Sequence, residues 1–140
     1  MTDTPAPDAS FPFPLEPLRG TLIERMGIEI TEVAPARAVG RMPVTGNTQP
    51  AGLLHGGASA VLAETLASLA ATAHAGPGRL AVGMDLNATH HRSMRSGWVT
   101  GTAVALHLGS RVAAYEIVLE DESQRRVCTS RLTCMLVDSR

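Results

Sequence analysis

The stretch HGGASAVLAETLASLAATAHAG, residues 55–76, decides the fold. It is rich in good helix formers, contains no proline, and runs into Gly76-Pro77-Gly78, a strong stop signal. The spacing predicts one long helix over 57–75. Its side chains are small and apolar nearly all round: Ala58, Ala60, Val61, Leu62, Ala63, Leu66, Ala67, Leu69, Ala70 and Ala71. Such a helix is normally enclosed rather than laid on a surface. Glu64 is therefore expected to be buried, which is costly for a carboxylate unless it is paired or functional. Both a catalytic and a structural, hydrogen-bonded carboxylate fit the residues taken alone.

Downstream of the helix the apolar period changes to two. Residues 79–91, 97–109, 110–121 and 125–138 read as four strands, separated by turn clusters at 92–96, 109–110 and 120–124. Short connections between consecutive strands predict an antiparallel meander. Upstream, 28–45 holds two short alternating stretches around Pro35, a hairpin, and 46–52 is a loop by its Gly, Asn and Pro. Residues 15–27 read as a short helix with Leu15, Leu18, Leu22 and Ile23 on one face, and 1–14 as a flexible tail. Two strands, a buried helix and four strands are satisfied by an α+β fold: one antiparallel sheet wrapped around one central helix, a single domain over 15–140.

Composition narrows the function classes. The chain has 140 residues, 44% hydrophobic, with a net charge of -1, which gives no general attraction for nucleic acid or an anionic membrane surface. With two Phe, one Trp and one Tyr, the core is built from Ala, Val, Leu, Ile and Met, and thirteen glycines let backbones approach closely. The proline-broken N-terminus lacks the apolar run of a signal peptide, and Glu64 with several Ser and Thr interrupts the longest apolar stretch, so no membrane span is expected and a cytoplasmic location follows. Cys128 and Cys134, six apart in one strand, are too distant to bond each other and read as buried thiols; no zinc pattern accompanies them.

Gln49, His55, Gly56, Gly57, Glu64 and Ser68 concentrate polar chemistry in an apolar segment. Glu64 lies nine positions after His55, about 13 Å along a helix, so one chain cannot bring both to one substrate atom. Two antiparallel helices can, and the alanine-rich surface suits that approach; a catalytic role for both residues requires a two-fold dimer with sites at its interface. At the helix start the first amides lack intrahelical partners and carry the positive end of the macrodipole, so the N–H of Gly56 or Gly57 can polarise a carbonyl. Ser68, one turn beyond Glu64, can orient the carboxylate or a water. These parts suit acyl transfer.

The runs QPAGLLHGGAS (49–59) and LAET (62–65), followed in order by NATHHRS (87–93), LHLGSR (106–111) and SRLT (130–133), resemble the hotdog-fold acyl-CoA thioesterases. The likeness is greatest to the branch of 4-hydroxybenzoyl-CoA, 1,4-dihydroxy-2-naphthoyl-CoA and enterobactin-pathway proofreading thioesterases, related to the phenylacetate-degradation enzymes. It spans nearly everything after residue 25. The resemblance implies a sheet around a central helix, dimers that pair into tetramers, and hydrolysis of an acyl-CoA or aryl-CoA thioester with no metal or organic cofactor. It implies Glu64 as nucleophile or general base, Gly56 as the carbonyl-polarising amide, Gln49 and His55 as positioning groups, and Ser68 as support. It also implies substrate or CoA contacts at His90, Arg92, Ser110, Arg111 and Arg131; from the residues alone, the basic cluster 90–95 is equally a solvated turn. His74 and His107 have no assigned role. Met42, Met84, Met94 and Met135 suggest an adaptable acyl pocket. A non-catalytic acyl-CoA-binding module on the same fold is the competing expectation.

Overall fold

The computed structural model describes residues 18–140; the tail 1–14 and Leu15 fall outside them. Its elements run α1 (Leu22–Arg25), β1 (Glu29–Ala34), β2 (Arg37–Pro43), α2 (Gly56–Ala75), β3 (Arg79–His90), β4 (Trp98–Leu108), β5 (Val112–Glu120) and β6 (Arg126–Asp138). The six strands form one antiparallel sheet in the order β1-β2-β4-β5-β6-β3. α2 packs against all six, as the α+β reading requires. Of the expected helix over 15–27, the described residues show only the single α-helical turn of α1, bracketed by Gly20 and Gly27, which adopt positive φ.

α2 starts where His55, extended at φ -67 and ψ 129, accepts the Gly57 amide on its ring, and it ends at Gly76, whose φ of 80 suits glycine. Leu62, Ala63, Leu66, Ala67, Ala70 and Ala71 turn to the sheet and are buried. Leu66 seats between two cross-strand partners, Gly40 and Gly101: a Cβ on either would stand 2.8 or 2.7 Å from its methyl groups. The abundant glycine thus lets the sheet close on the helix.

Two expectations are corrected here. The four later strands do not form a continuous meander: β4, β5 and β6 do, but β3 pairs with β6 at the far edge. Segment 91–97 is not a hairpin turn but a strap across the start of α2. The His91 and Arg92 amides bond Val127, the Leu54 amide bonds Met94 at 2.7 Å, and the Val44 amide bonds Gly97 at 2.9 Å, with Met94 buried beneath. Nor is α2 enclosed within one chain. The sheet curls round one side of it, leaving Gly57 and Glu64 exposed and Ala60, Val61, Thr65 and Ser68 half-covered.

Two polar anchors hold the loops. Asn47, buried, donates to the carbonyls of Met26 and Pro43, both at 2.8 Å, and accepts the His55 amide on its own carbonyl, which sets the approach to α2. Asp121 organises the β5–β6 turn, accepting the Ser123 and Arg125 amides at 2.9 Å and the Arg125 guanidinium at 2.8 Å. The Arg125 amide, then that of Ser123 and the guanidinium, hold its carboxyl below the ordinary 3.8 against the opposing effect of desolvation. A depressed folded pKa contributes stability that is present above 3.8 and lost as pH falls through the folded value. Asp121→Asn is therefore expected to lower the melting temperature at pH 7, with the gap from wild type closing below pH 3.8 in a calorimetric pH series. A gap that stayed constant with pH would contradict the assignment.

Candidate active site

Two clefts divide the expected site residues between them. The first, about 310 Å³, lies at the start of α2 under the 91–97 strap, and Gln49, Gly56, Ser59, His90, Arg92 and Val127 contribute to its wall. The second, about 290 Å³, opens beside the exposed face of α2, where Glu64, Thr65, Ser68, Leu69, Thr72 and Ala81 meet Ile23 of α1. One chain therefore brings Gln49, Gly56, His90 and Arg92 together, and Glu64 with Ser68, but does not join the two sets.

The first cleft has a specific donor. His55 Nδ1 accepts the Gly57 N–H at 2.8 Å, which removes that amide from other use and leaves the imidazole proton on Nε2. The Gly56 N–H, by contrast, has no acceptor among the described residues. Of the two amides, the one left without an acceptor is thus that of Gly56, at the positive end of a twenty-residue helix. His90 crosses directly over it: a Cβ on Gly56 would lie 2.9 Å from His90 Nε2, so a larger residue there would push the imidazole aside. The Gln49 side-chain oxygen accepts the Ala51 amide, and the Gly52 amide closes on the Gln49 carbonyl at 2.9 Å, which holds the 49–53 turn at the rim. His91, also on the cleft wall, bonds the Thr129 hydroxyl at 2.9 Å.

In the second cleft Glu64 forms no hydrogen bond or ion pair with any described residue. Its carboxylate lies over Gly83 of β3, and Cys134, the cross-strand partner of Gly83, lies below. Burial pushes the Cys134 thiol up, the nearby Ser68 hydroxyl lowers it and the Glu64 charge raises it. Both cysteines are buried and unbridged.

The remaining expected contacts lie elsewhere. Ser110 and Arg111 occupy the β4–β5 turn at the opposite end of α2, where His74 bonds the Gly109 carbonyl at 2.7 Å. Arg131 is exposed between the buried Ser130 and Leu132, on the sheet face turned away from α2. The methionine pocket is not found in these clefts: Met42 and Met94 are buried in the core, and Met84 and Met135 are exposed on the sheet. Ile23, Leu69 and Ala81 supply the apolar surface beside Glu64 instead. Asn47 and Gly83 were missed as site-shaping residues; an Asn in a GN dipeptide signals only a turn, and a lone glycine in a strand signals only a close approach.

The thioesterase superfamily model matches residues 51–128, more than half of the chain, including every lining residue of the first cleft except Gln49 and of the second except Ile23. The chain belongs to this superfamily. As a thioesterase it is similar to the proofreading thioesterase EntH of Cronobacter turicensis, 49% identical over 115 residues that cover 81% of this chain and 84% of the relative. EntH of Klebsiella pneumoniae is likewise 49% identical over 113 residues, covering 80% and 82%. Among solved structures, a thioesterase of Haemophilus influenzae superposes with a TM-score of 0.84 at 37% identity, covering 90% of this chain and 92% of the other. A thioesterase of Pseudomonas aeruginosa gives 0.85 at 33% identity, covering 99% and 98%. The thioesterase has the hotdog fold and is a thioester hydrolase. No helix among its described residues is long and apolar enough to cross a membrane.

Proposed function

We propose that the chain hydrolyses acyl-CoA or aryl-CoA thioesters to a free acid and CoA, with Glu64 as the catalytic carboxylate and each site completed by a second copy. The observation that carries this reading is the separation of an unpartnered Gly56 amide from an unpaired Glu64 carboxylate in two clefts of one chain. Both groups lie on or beside the open face of α2, and β3 next to it is a twelve-residue edge strand with Val82 47% and Met84 50% exposed. A long apolar edge is an aggregation liability unless another chain covers it. A two-fold axis normal to β3 pairs the two edges antiparallel and sets the α2 helices side by side. Each Gly56 then faces the other copy's Glu64, and each β4–β5 turn, with Ser110 and Arg111, approaches the other helix start.

In that site the Gly56 N–H holds the thioester carbonyl oxygen and the charge that develops on it. Glu64 either takes a proton from water as the water attacks the carbonyl carbon, or attacks that carbon itself and is freed by water in a second step. Collapse of the tetrahedral intermediate breaks the C–S bond, and the CoA thiolate leaves and takes up a proton. Gln49 and the Nε2 proton of His55 position substrate or water, Ser68 supports the carboxylate, and His90 and Arg92 edge the path of the CoA phosphates. A dimer of dimers is part of the same proposal, with the exposed Val104, Leu106 and Met135 of the outer sheet face available to it.

Thiol release from acetyl-, isobutyryl-, hexanoyl- and benzoyl-CoA tests the activity. Turnover of at least one ester is expected. Binding by calorimetry without thiol release from any of them would favour the non-catalytic acyl-CoA module instead. Similarity to proteins named proofreading thioesterases favours comparable turnover across several acyl groups over strict selection of one.

A further inference from the structure

Gly83 stands in the middle of β3 with no backbone reason to be glycine. Its φ lies outside the positive region, and Leu80, Ala81 and Val82 before it pair regularly with β6. Glycine in a strand interior weakens it and marks a place where something approaches closely. Here that something is Glu64: a Cβ on Gly83 would lie 2.6 Å from Glu64 Oε1 and 3.5 Å from its Cδ, with a Leu132 methyl at 3.5 Å on the other side. The pairing with β6 shifts between Gly83 and Asp85, so a bulge adjoins the glycine. Bulges beside active sites re-aim side chains and end regular pairing.

We infer that Gly83 is a positioning residue for catalysis, a notch in β3 that admits the Glu64 carboxylate and fixes its height above the strand. The strand cannot retreat to make room for a larger residue. Two positions earlier the Ala81 amide donates to the Thr72 hydroxyl of α2 at 3.1 Å, and β6 pairs with β3 along its length. The flexible end is the carboxylate, which no hydrogen bond or ion pair among the described residues restrains. A methyl group at position 83 therefore displaces the carboxylate and leaves the sheet intact. The consequence for the reaction rests on Glu64 being the catalytic carboxylate; the notch itself does not.

The test compares Glu64→Gln, Gly83→Ala, Glu64→Asp and the Gly83→Ala/Glu64→Asp double variant on whichever ester of the panel the wild type turns over fastest. Gly83→Ala is expected to lower kcat about 10- to 100-fold, the cost of misplacing a reacting group by about 1 Å, with KM within about twofold. Its melting temperature should equal or exceed that of wild type, which a merely structural glycine would not allow. Glu64→Asp withdraws the carboxylate by one methylene, so adding Gly83→Ala to it should cost less than about threefold. Wild-type kcat in Gly83→Ala, or the same fold loss in both backgrounds, would overturn the notch. Wild-type kcat in Glu64→Gln would instead overturn the catalytic reading of Glu64.

Discussion

Glu64→Gln is expected to lower kcat about 10³- to 10⁴-fold while leaving the fold and KM nearly unchanged. The substitution keeps the shape of the side chain and removes its charge, its basicity and its nucleophilicity together. Little structure is at stake. Glu64 is exposed, it makes no hydrogen bond or ion pair with any described residue, and its neighbours Leu62, Ala63, Leu66 and Ala67 hold α2 to the sheet without it. Exposed substitutions of that kind usually change stability by no more than about 0.5 kcal/mol. What remains after the change is the Gly56 amide and the binding contacts of the first cleft, which polarise and orient a thioester without attacking it. Steady-state thiol release and thermal melting measured on one preparation separate the two effects. A folded Glu64→Gln protein with turnover near wild type would remove Glu64 from the reaction.

The second large effect concerns assembly. Gly56 begins α2 and Glu64 lies more than two turns further on, and each lines its own cleft. On the proposed reading, a thioester carbonyl held by Gly56 is beyond reach of Glu64 in the same chain, and a neighbouring helix running the opposite way would supply the carboxylate at that height. Loss of Gln49 and His55 in one copy and loss of Glu64 in the other should then fall in the same site of the mixed dimer. Each doubly mixed dimer keeps one intact site, composed of the helix start of one chain and the carboxylate of its partner. Either variant alone keeps none.

Much of this was legible before any coordinates. The helix over 57–75 appears as Gly56–Ala75 because composition and the Gly76-Pro77-Gly78 stop act locally. The strands from Arg79 onward appear close to their expected bounds for the same reason. The distance argument for His55 and Glu64 needs only the helical rise, and within one chain the helix start and Glu64 line separate clefts. What failed depended on long-range placement. The pairing of β3 with β6 joins residues from 38 (His90 and Cys128) to 59 (Arg79 and Asp138) positions apart, and no local signal distinguishes the 91–97 strap from a hairpin turn. Glu64 was expected to be buried because its helix is apolar all round, yet one chain covers only one side of that helix. On the proposed reading, the uncovered apolar side is what a second copy would bury. Gly83 was invisible because a sequence shows the glycine but not the side chain that crosses it.

The most direct test of a site shared between two copies uses two tagged chains, Glu64→Gln and Gln49→Ala/His55→Ala, co-expressed and purified through both tags in turn. Dimers carrying both tags should show about half the wild-type turnover per dimer, because one of the two sites in each retains every catalytic group. Each variant purified alone should stay near background. Mixed dimers no more active than the average of the two parents, or chains that never co-purify, would contradict a site built from two copies.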